Sequence, residues 1–192
     1  MPYTGLDFSA TVTTSAECYP RWYSDGELIK EGKKVKVKTS GTITLSGLGG
    51  DQAAVTCQVN DQETIENASS HTPGTDSITK FKLSDCVTKS GQLCSSGSPK
   101  LKATGLPWAS QLSGAPPVGD EISGISLEVK CPGAKGFHEA LTGTLTPTVG
   151  DSVLEFTSAS GELTGPSGSS QLTGADALEG PKGDTAITAG EP

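Results

Sequence analysis

The chain is poor in the residues that most enzyme chemistry needs. It has only two histidines, His71 in "SSHTPGTD" and His138 in "GFHEALTG". Each is a weak candidate general base, and no Gly-x-Ser-x-Gly elbow frames a serine beside either. No Cys-x-x-Cys pair occurs and no cysteine stands near a histidine, so zinc is not expected. An Asp-x-Asp-x-Asp-Gly calcium loop is also missing, which leaves only turn aspartates such as Asp51, Asp151 or Asp184 for a surface calcium. No metal or other cofactor is expected. Phe, Trp and Tyr together number nine. That is few for a glycosidase cleft, although Asp61 with Glu63, or Asp120 with Glu121, would supply paired carboxyls. There is no run of 18 apolar residues, so no membrane-spanning helix is expected. The formal net charge is −8 with no basic-aromatic patch, and nucleic acid is disfavoured. An enzyme is therefore not the expected reading.

Large aliphatic residues are scarce too. Leu, Ile, Val and Phe make up 37 of 192 residues, so any core is thin and filled by small side chains. Ser and Thr supply 46 residues and Gly 25. Thr suits strands and Gly suits turns, because one is β-branched and the other tolerates positive φ.

The patterning is that of strands. In "LDFSATVT", Leu6, Phe8, Ala10 and Val12 share a face. "KKVKVKTSGTITLSG" keeps Val35, Val37, Thr39, Ile43 and Leu45 in one phase across Gly41, as one bent strand or two in register. Its other face carries Lys34, Lys36 and Lys38. "GLGGD" reads as a turn into "AAVTCQV", where Ala53, Val55, Cys57 and Val59 are in phase. "DQETIENAS" and "PWASQL" offer at most a turn or two of helix. The class is all-β: an antiparallel sandwich or barrel with disulfides and little or no helix. One β domain over 1–192 is expected. Within it, 1–50 would supply N-terminal strands, 51–150 a disulfide-bridged core and 151–192 acidic hairpin repeats.

Two stretches repeat a device. "GTDSITKFKLSDC" ends at Cys86 and "GDEISGISLEVKC" ends at Cys131. In each, an Ile and the next in-phase apolar residue are three apart, Ile78–Phe81 and Ile122–Ile125, which predicts a β-bulge at the same place in both. Asp76 and Asp120 precede them, where turn chemistry is expected. In the tail, "LTGPSGSSQLTGAD" and "LEGPKGDTAITAGE" each read as a hairpin with a Gly-Pro turn.

The five cysteines, at 18, 57, 86, 94 and 131, favour an oxidising compartment. Phase places Cys57 and Cys131 on apolar faces and predicts a Cys57–Cys131 core bridge. Cys86 is out of phase and is expected to staple a loop to Cys94. Cys18 is left unpaired or available to a second chain. "MPYT" has no leader character, so the cysteines imply a secretion signal removed ahead of it.

"GTDSITKFKLSDC", "ATGLPWASQL" and "GTLTPTVGDSVLEFTSASGELTG" resemble segments of a group of exported, Ser/Thr/Gly-rich β proteins of actinobacteria, over roughly residues 53–190. The resemblance implies export and disulfides and brings no assigned activity.

Trp22 and Tyr23 in "CYPRWY", and Trp108 in "GLPWAS", suit either a sugar-stacking platform or a structural plug, the plug being favoured. Asn67-Ala68-Ser69 fits the glycosylation pattern and reads as a polar loop. Residues 139–192 hold eight acids against one base, Lys182. The lysines at 34, 36 and 38 and this acidic tail would attract between neighbouring molecules. A strand carrying Phe8 and Val12 would add to another subunit's sheet or pair within its own domain. The expected function is a non-enzymatic, secreted or cell-surface β protein that associates with itself as a surface, matrix or filament subunit. The alternative is a secreted module that binds carbohydrate or a small apolar ligand.

Overall fold

A computed structural model describes residues 19–51, 53–95, 97–132, 136–183 and 185–191. Phe8, Val12, Cys18 and Asp184 lie outside the described residues. The strands in chain order are β1 (Arg21–Ser24), β2 (Glu27–Leu28), β3 (Lys34–Gly47), β4 (Ala53–Glu66), β5 (Thr75–Ser90), β6 (Lys100–Ala103) and β7 (Trp108–Ser113). They continue as β8 (Gly119–Lys130), β9 (His138–Leu145), β10 (Thr148–Gly150), β11 (Val153–Phe156), β12 (Glu162–Gly165), β13 (Gly168–Glu179) and β14 (Ile187–Gly190).

Eight antiparallel wall positions close into a barrel. Three of those positions are strands broken in the middle. β6 and β7 both pair with one edge of β8, β9 and β10 pair with its other edge, and β11 and β12 both pair with β13. The wall therefore runs β3, β4, β5, β6/β7, β8, β9/β10, β11/β12, β13, each antiparallel to the one before. β13 returns to β3 over Lys38–Ser46, which closes the ring. β1, β2 and β14 form a separate three-stranded sheet that caps the end where β3 begins.

Period-two alternation decides which side chains fill the interior. Along β3 the inward set is Val35, Val37, Thr39, Ile43 and Leu45, all buried, while Lys34, Lys36 and Lys38 are exposed. Gly41 keeps this a single 14-residue strand. A Cβ there would run into the Ala175 carbonyl and the Asp176 carboxyl, so β3 and β13 approach too closely for any side chain.

Both expected bulges are present. The β4–β5 register shifts between Gln62 and Glu63, beside Thr79, and the β8–β9 register shifts between Ile122 and Ile125. The aspartates ahead of them are not in turns. Asp76 and Asp120 sit inside β5 and β8, pointing inward and buried. "DQETIENAS" is mostly β4 and "WASQLS" is β7, so neither forms helix. Cross-strand pairing overrides the weak local preference in both cases. In the tail, β12 and β13 form the expected hairpin around Pro166-Ser167. The second Gly-Pro segment turns instead at 180–183 and sends the chain to β14, which pairs with β1 rather than with β13.

The disulfides are Cys57–Cys86 and Cys94–Cys131, which corrects both expected pairings. Cys57 and Cys86 lie on neighbouring strands. Asp85 takes a positive φ of 50°, and the β4–β5 register shifts there, between Thr56 and Gln58. That irregularity turns Cys86 inward, a rotation that simple alternation did not anticipate. Cys131 ends β8 at the end away from the cap and meets Cys94 on the loop ahead of β6.

The cap is fastened by one asparagine. Asn67 is fully buried; its Oδ1 accepts from the Trp22 N–H at 2.9 Å, and its Nδ2 donates to the carbonyls of Trp22 and Ile29, both at 2.9 Å. The expected polar-loop role of this residue is therefore corrected: it is a structural clamp. Asn67→Ala would strand the Trp22 N–H and the Ile29 carbonyl, whereas the Trp22 carbonyl keeps its bond from the Ile29 N–H, and a loss of about 3 kcal/mol is expected in urea unfolding.

Candidate functional site

Continuing the alternation along β4 produces an unusual result. Val55, Cys57 and Val59 point inward, and so do Asp61 and Glu63, before Ile65 restores the apolar pattern. Cross-strand register gathers more carboxyls at the same level. Asp76 on β5 lies opposite Ile65, and Asp176 on β13 lies opposite Gly41. Asp120 on β8 lies opposite Leu112 and accepts from the Ser110 hydroxyl at 2.5 Å. Asp61, Glu63, Asp76, Asp120 and Asp176 are all at most 5% exposed. They form a belt of five carboxyls across the barrel. Thr39, opposite Asp61, adds a buried hydroxyl.

The belt is sealed on both sides. Toward the cap lie Val35, Ile65, Leu112 and Trp22; away from it lie Ile43, Ile78, Ile122 and Ile125. Several carboxyl oxygens, including both of Glu63 and both of Asp76, have no hydrogen-bond partner. Burial is the main cause of their altered acidity. It pushes Asp61 and Asp120 up to about 6. Asp176 is pushed up to about 7, by burial and then by the nearby charge of Asp61. Glu63 is raised well above the usual range by burial, then by Asp76 and Asp61; Asp76 is raised by burial, then by Asp120. Among the described residues no group of three or more His, Cys, Asp or Glu is arranged to hold a metal ion.

Beside Asp61 and Glu63 a cavity of about 20 Å³ lies among Phe81, Trp108, Ile125 and Phe156. That is room for about one water molecule. Buried side chains from every wall position of the described barrel pack into its interior.

The outer surface has a different feature. β5 pairs with β7 only over Thr75–Ile78, and β6 pairs only with β8. Beyond Ile78, among the described residues, the facing edges of β5 and β6 share no ladder. A groove of about 470 Å³ opens there, with Leu83, Cys86 and Leu101 at its base. Lys100, Lys102 and Lys130 rim it against Asp85 and Glu128, and exposed Lys82 and Lys89 flank it along β5. Exposed Val87 stands beside it. Glu128 is engaged by Lys130 at 2.8 Å and by His138 at 3.0 Å. Across the barrel, four wall positions away, β11 and β12 expose Glu155 and Glu162 and carry no lysine or arginine, while Glu179 at the end of β13 lies opposite Lys38 of β3.

The residues singled out from the sequence are not brought together. Trp22 is 1% exposed and its indole N–H donates to the Thr75 carbonyl at 3.1 Å, which makes it the plug of the cap. Tyr23 follows it on β1, half-buried. Trp108 is inside the wall, its ring 5.1 Å from that of Phe81 and its N–H bonded to Thr104. Neither indole offers a face to solvent. Lys34, Lys36 and Lys38 are exposed on β3 near the cap, with Lys34 3.7 Å from Glu66. His71 sits in an exposed loop at the cap end, bonded to Ser70, whereas His138 is exposed at the other end. The belt was detectable in sequence as acids in phase with valines, a signal outweighed by the habit of placing acids at the surface.

No family model, curated protein or solved structure matches this chain.

Proposed function

We propose that this protein works outside the cell as a non-enzymatic barrel that associates with copies of itself through opposite faces. The observation that carries the reading is the lysine-rimmed groove at the open β5/β6 seam, set across the barrel from the exposed acids Glu155 and Glu162 on β11 and β12, strands that carry no lysine or arginine. Such faces are complementary but not identical, so contact between them is heterologous and propagates as a chain unless the rotation closes. The two disulfides fit an oxidising, extracellular setting. Burial of Trp22 and Trp108, with about 20 Å³ free in the cavity that Trp108 lines, argues against a carbohydrate platform or a small apolar ligand there.

Sedimentation velocity tests this. Concentration-dependent assembly is expected at low salt and dispersal at high salt, since contacts between exposed charges are screened. Reversing one face (Lys100→Glu with Lys102→Glu) should leave monomers, and so should reversing the other (Glu155→Lys with Glu162→Lys). An equimolar mixture of the two variants should assemble again, because the intact acidic face of one meets the intact groove of the other and the two reversed faces are opposite in charge as well. A wild-type protein that stays monomeric at every concentration and salt level would remove the proposal.

A further inference from the structure

We infer that the buried carboxyl belt is a proton-dependent latch: protonated carboxyls hold the cap half of the barrel closed in acidic medium, and their ionisation loosens it as the medium turns neutral to alkaline. The ground is geometric. Five carboxyls from four strands converge inside a lumen that apolar layers seal above and below. The groups facing them can be named strand by strand. β3 supplies Thr39, whose buried hydroxyl points into the belt without a hydrogen-bond partner. β7 supplies Ser110, already bonded to Asp120. β9 and β11 supply Leu145 and Leu154, which line the cavity shared with Asp61 and Glu63. The cap supplies Trp22.

No lysine, arginine or histidine among the described residues faces the belt. Lys34, Lys36 and Lys38 occupy the outward positions of β3. Arg21, the buried base, is on the cap, where its Nη2 is 3.9 Å from Glu31. Ionised carboxylates in this place would have neither water nor a counter-charge, a state proteins avoid. Neutral carboxyls can donate as well as accept, and so can satisfy one another and Thr39.

The direction of the response follows from the raised acidities. In the unfolded chain these groups titrate near 4. Folded, Asp61 and Asp120 titrate at about 6, Asp176 at about 7, and Glu63 and Asp76 above the usual range. The folded state therefore binds more protons than the unfolded state from about pH 4 upward. The belt's contribution is complete below pH 4 and is lost as pH rises through 6 and 7.

Thermal unfolding of the whole chain, followed by circular dichroism from pH 4 to 9, tests the latch. Tm is expected to drop by about 10 °C or more between pH 5 and 8. Asp176→Asn cannot ionise, so its profile should be shallower, with a Tm above wild type at pH 8 but not at pH 5. Asp61→Asn should behave alike and serves if the first variant does not fold. Infrared spectra of the wild type at pH 6 should show a protonated-carboxyl stretching band that weakens as pH rises through 7. A flat Tm profile, or a steep one that both substitutions leave unchanged, overturns the latch. So does recovery of the acid-pH Tm at pH 8 on adding millimolar calcium, because a metal ion rather than protons would then hold the belt.

Discussion

Reduction of both disulfides is expected to remove most of the stability of this protein. The cross-links close loops with sequence separations of 29 and 37 residues. The chain-entropy relation gives about 3.5–4 kcal/mol for loops of this length. The loops, 57–86 and 94–131, do not overlap in sequence, so the two contributions add to about 7 kcal/mol. A domain is usually stable by about 5–15 kcal/mol. The composition makes the loss harder to absorb, since large aliphatic and Phe residues are fewer than one in five. The bridges also act at different places. Cys57–Cys86 ties β4 to β5 where β5 is irregular. Cys94–Cys131 anchors the loop ahead of β6 to the end of β8, on the side of the barrel where β5 and β6 share no ladder. Urea unfolding with and without reductant measures the sum, and Cys57→Ala/Cys86→Ala against Cys94→Ala/Cys131→Ala apportions it. A reduced protein whose urea midpoint matches that of the oxidised one would show that the core alone suffices.

A single methyl or isopropyl group at the closing seam is expected to be almost as damaging. At Gly41 the inward position has no volume left, because the Ala175 carbonyl and the Asp176 carboxyl occupy it. At Gly174, with φ of +141°, an added Cβ would strike the Thr42 carbonyl and the Ile43 Cα. Ile43 is the direct cross-strand partner of Gly174, and Gly41 that of Asp176, so the two glycines lie within one turn of the same β3–β13 ladder. Backbone meets backbone there, and no rotamer change relieves the contact. Gly41→Val should therefore open the ladder that closes the barrel, at a cost of about 4 kcal/mol or more. The expected readouts are a Tm lower by over about 10 °C and early hydrogen exchange at Ser40–Thr44 and Thr173–Ala177. An outward control, Thr42→Val on the same strand, should be nearly neutral. Equal effects from the two substitutions would mean that this seam does not need a bare backbone.

Much of the architecture was legible before any tertiary information. The long phase Val35–Leu45 ran through Gly41 as one strand, and the three-residue spacings Ile78–Phe81 and Ile122–Ile125 marked real bulges. The lysines at 34, 36 and 38 faced outward as alternation required. These are local statements, fixed by the two-residue repeat of a strand and by which face must be dry.

What the amino-acid order determined alone is the all-strand class, the bulges and the inward apolar faces of β3 and β4, because each depends on neighbours a few residues apart. Only the tertiary structure decided which strands are adjacent. That adjacency set the disulfide partners, since Asp85 rotates Cys86 toward Cys57 on the next strand. It also turned Asp76 and Asp120 from expected turn residues into members of a belt with Asp61, Glu63 and Asp176, five carboxyls from four strands. Register between distant segments is a property of the whole closed ring, and no stretch of sequence contains it.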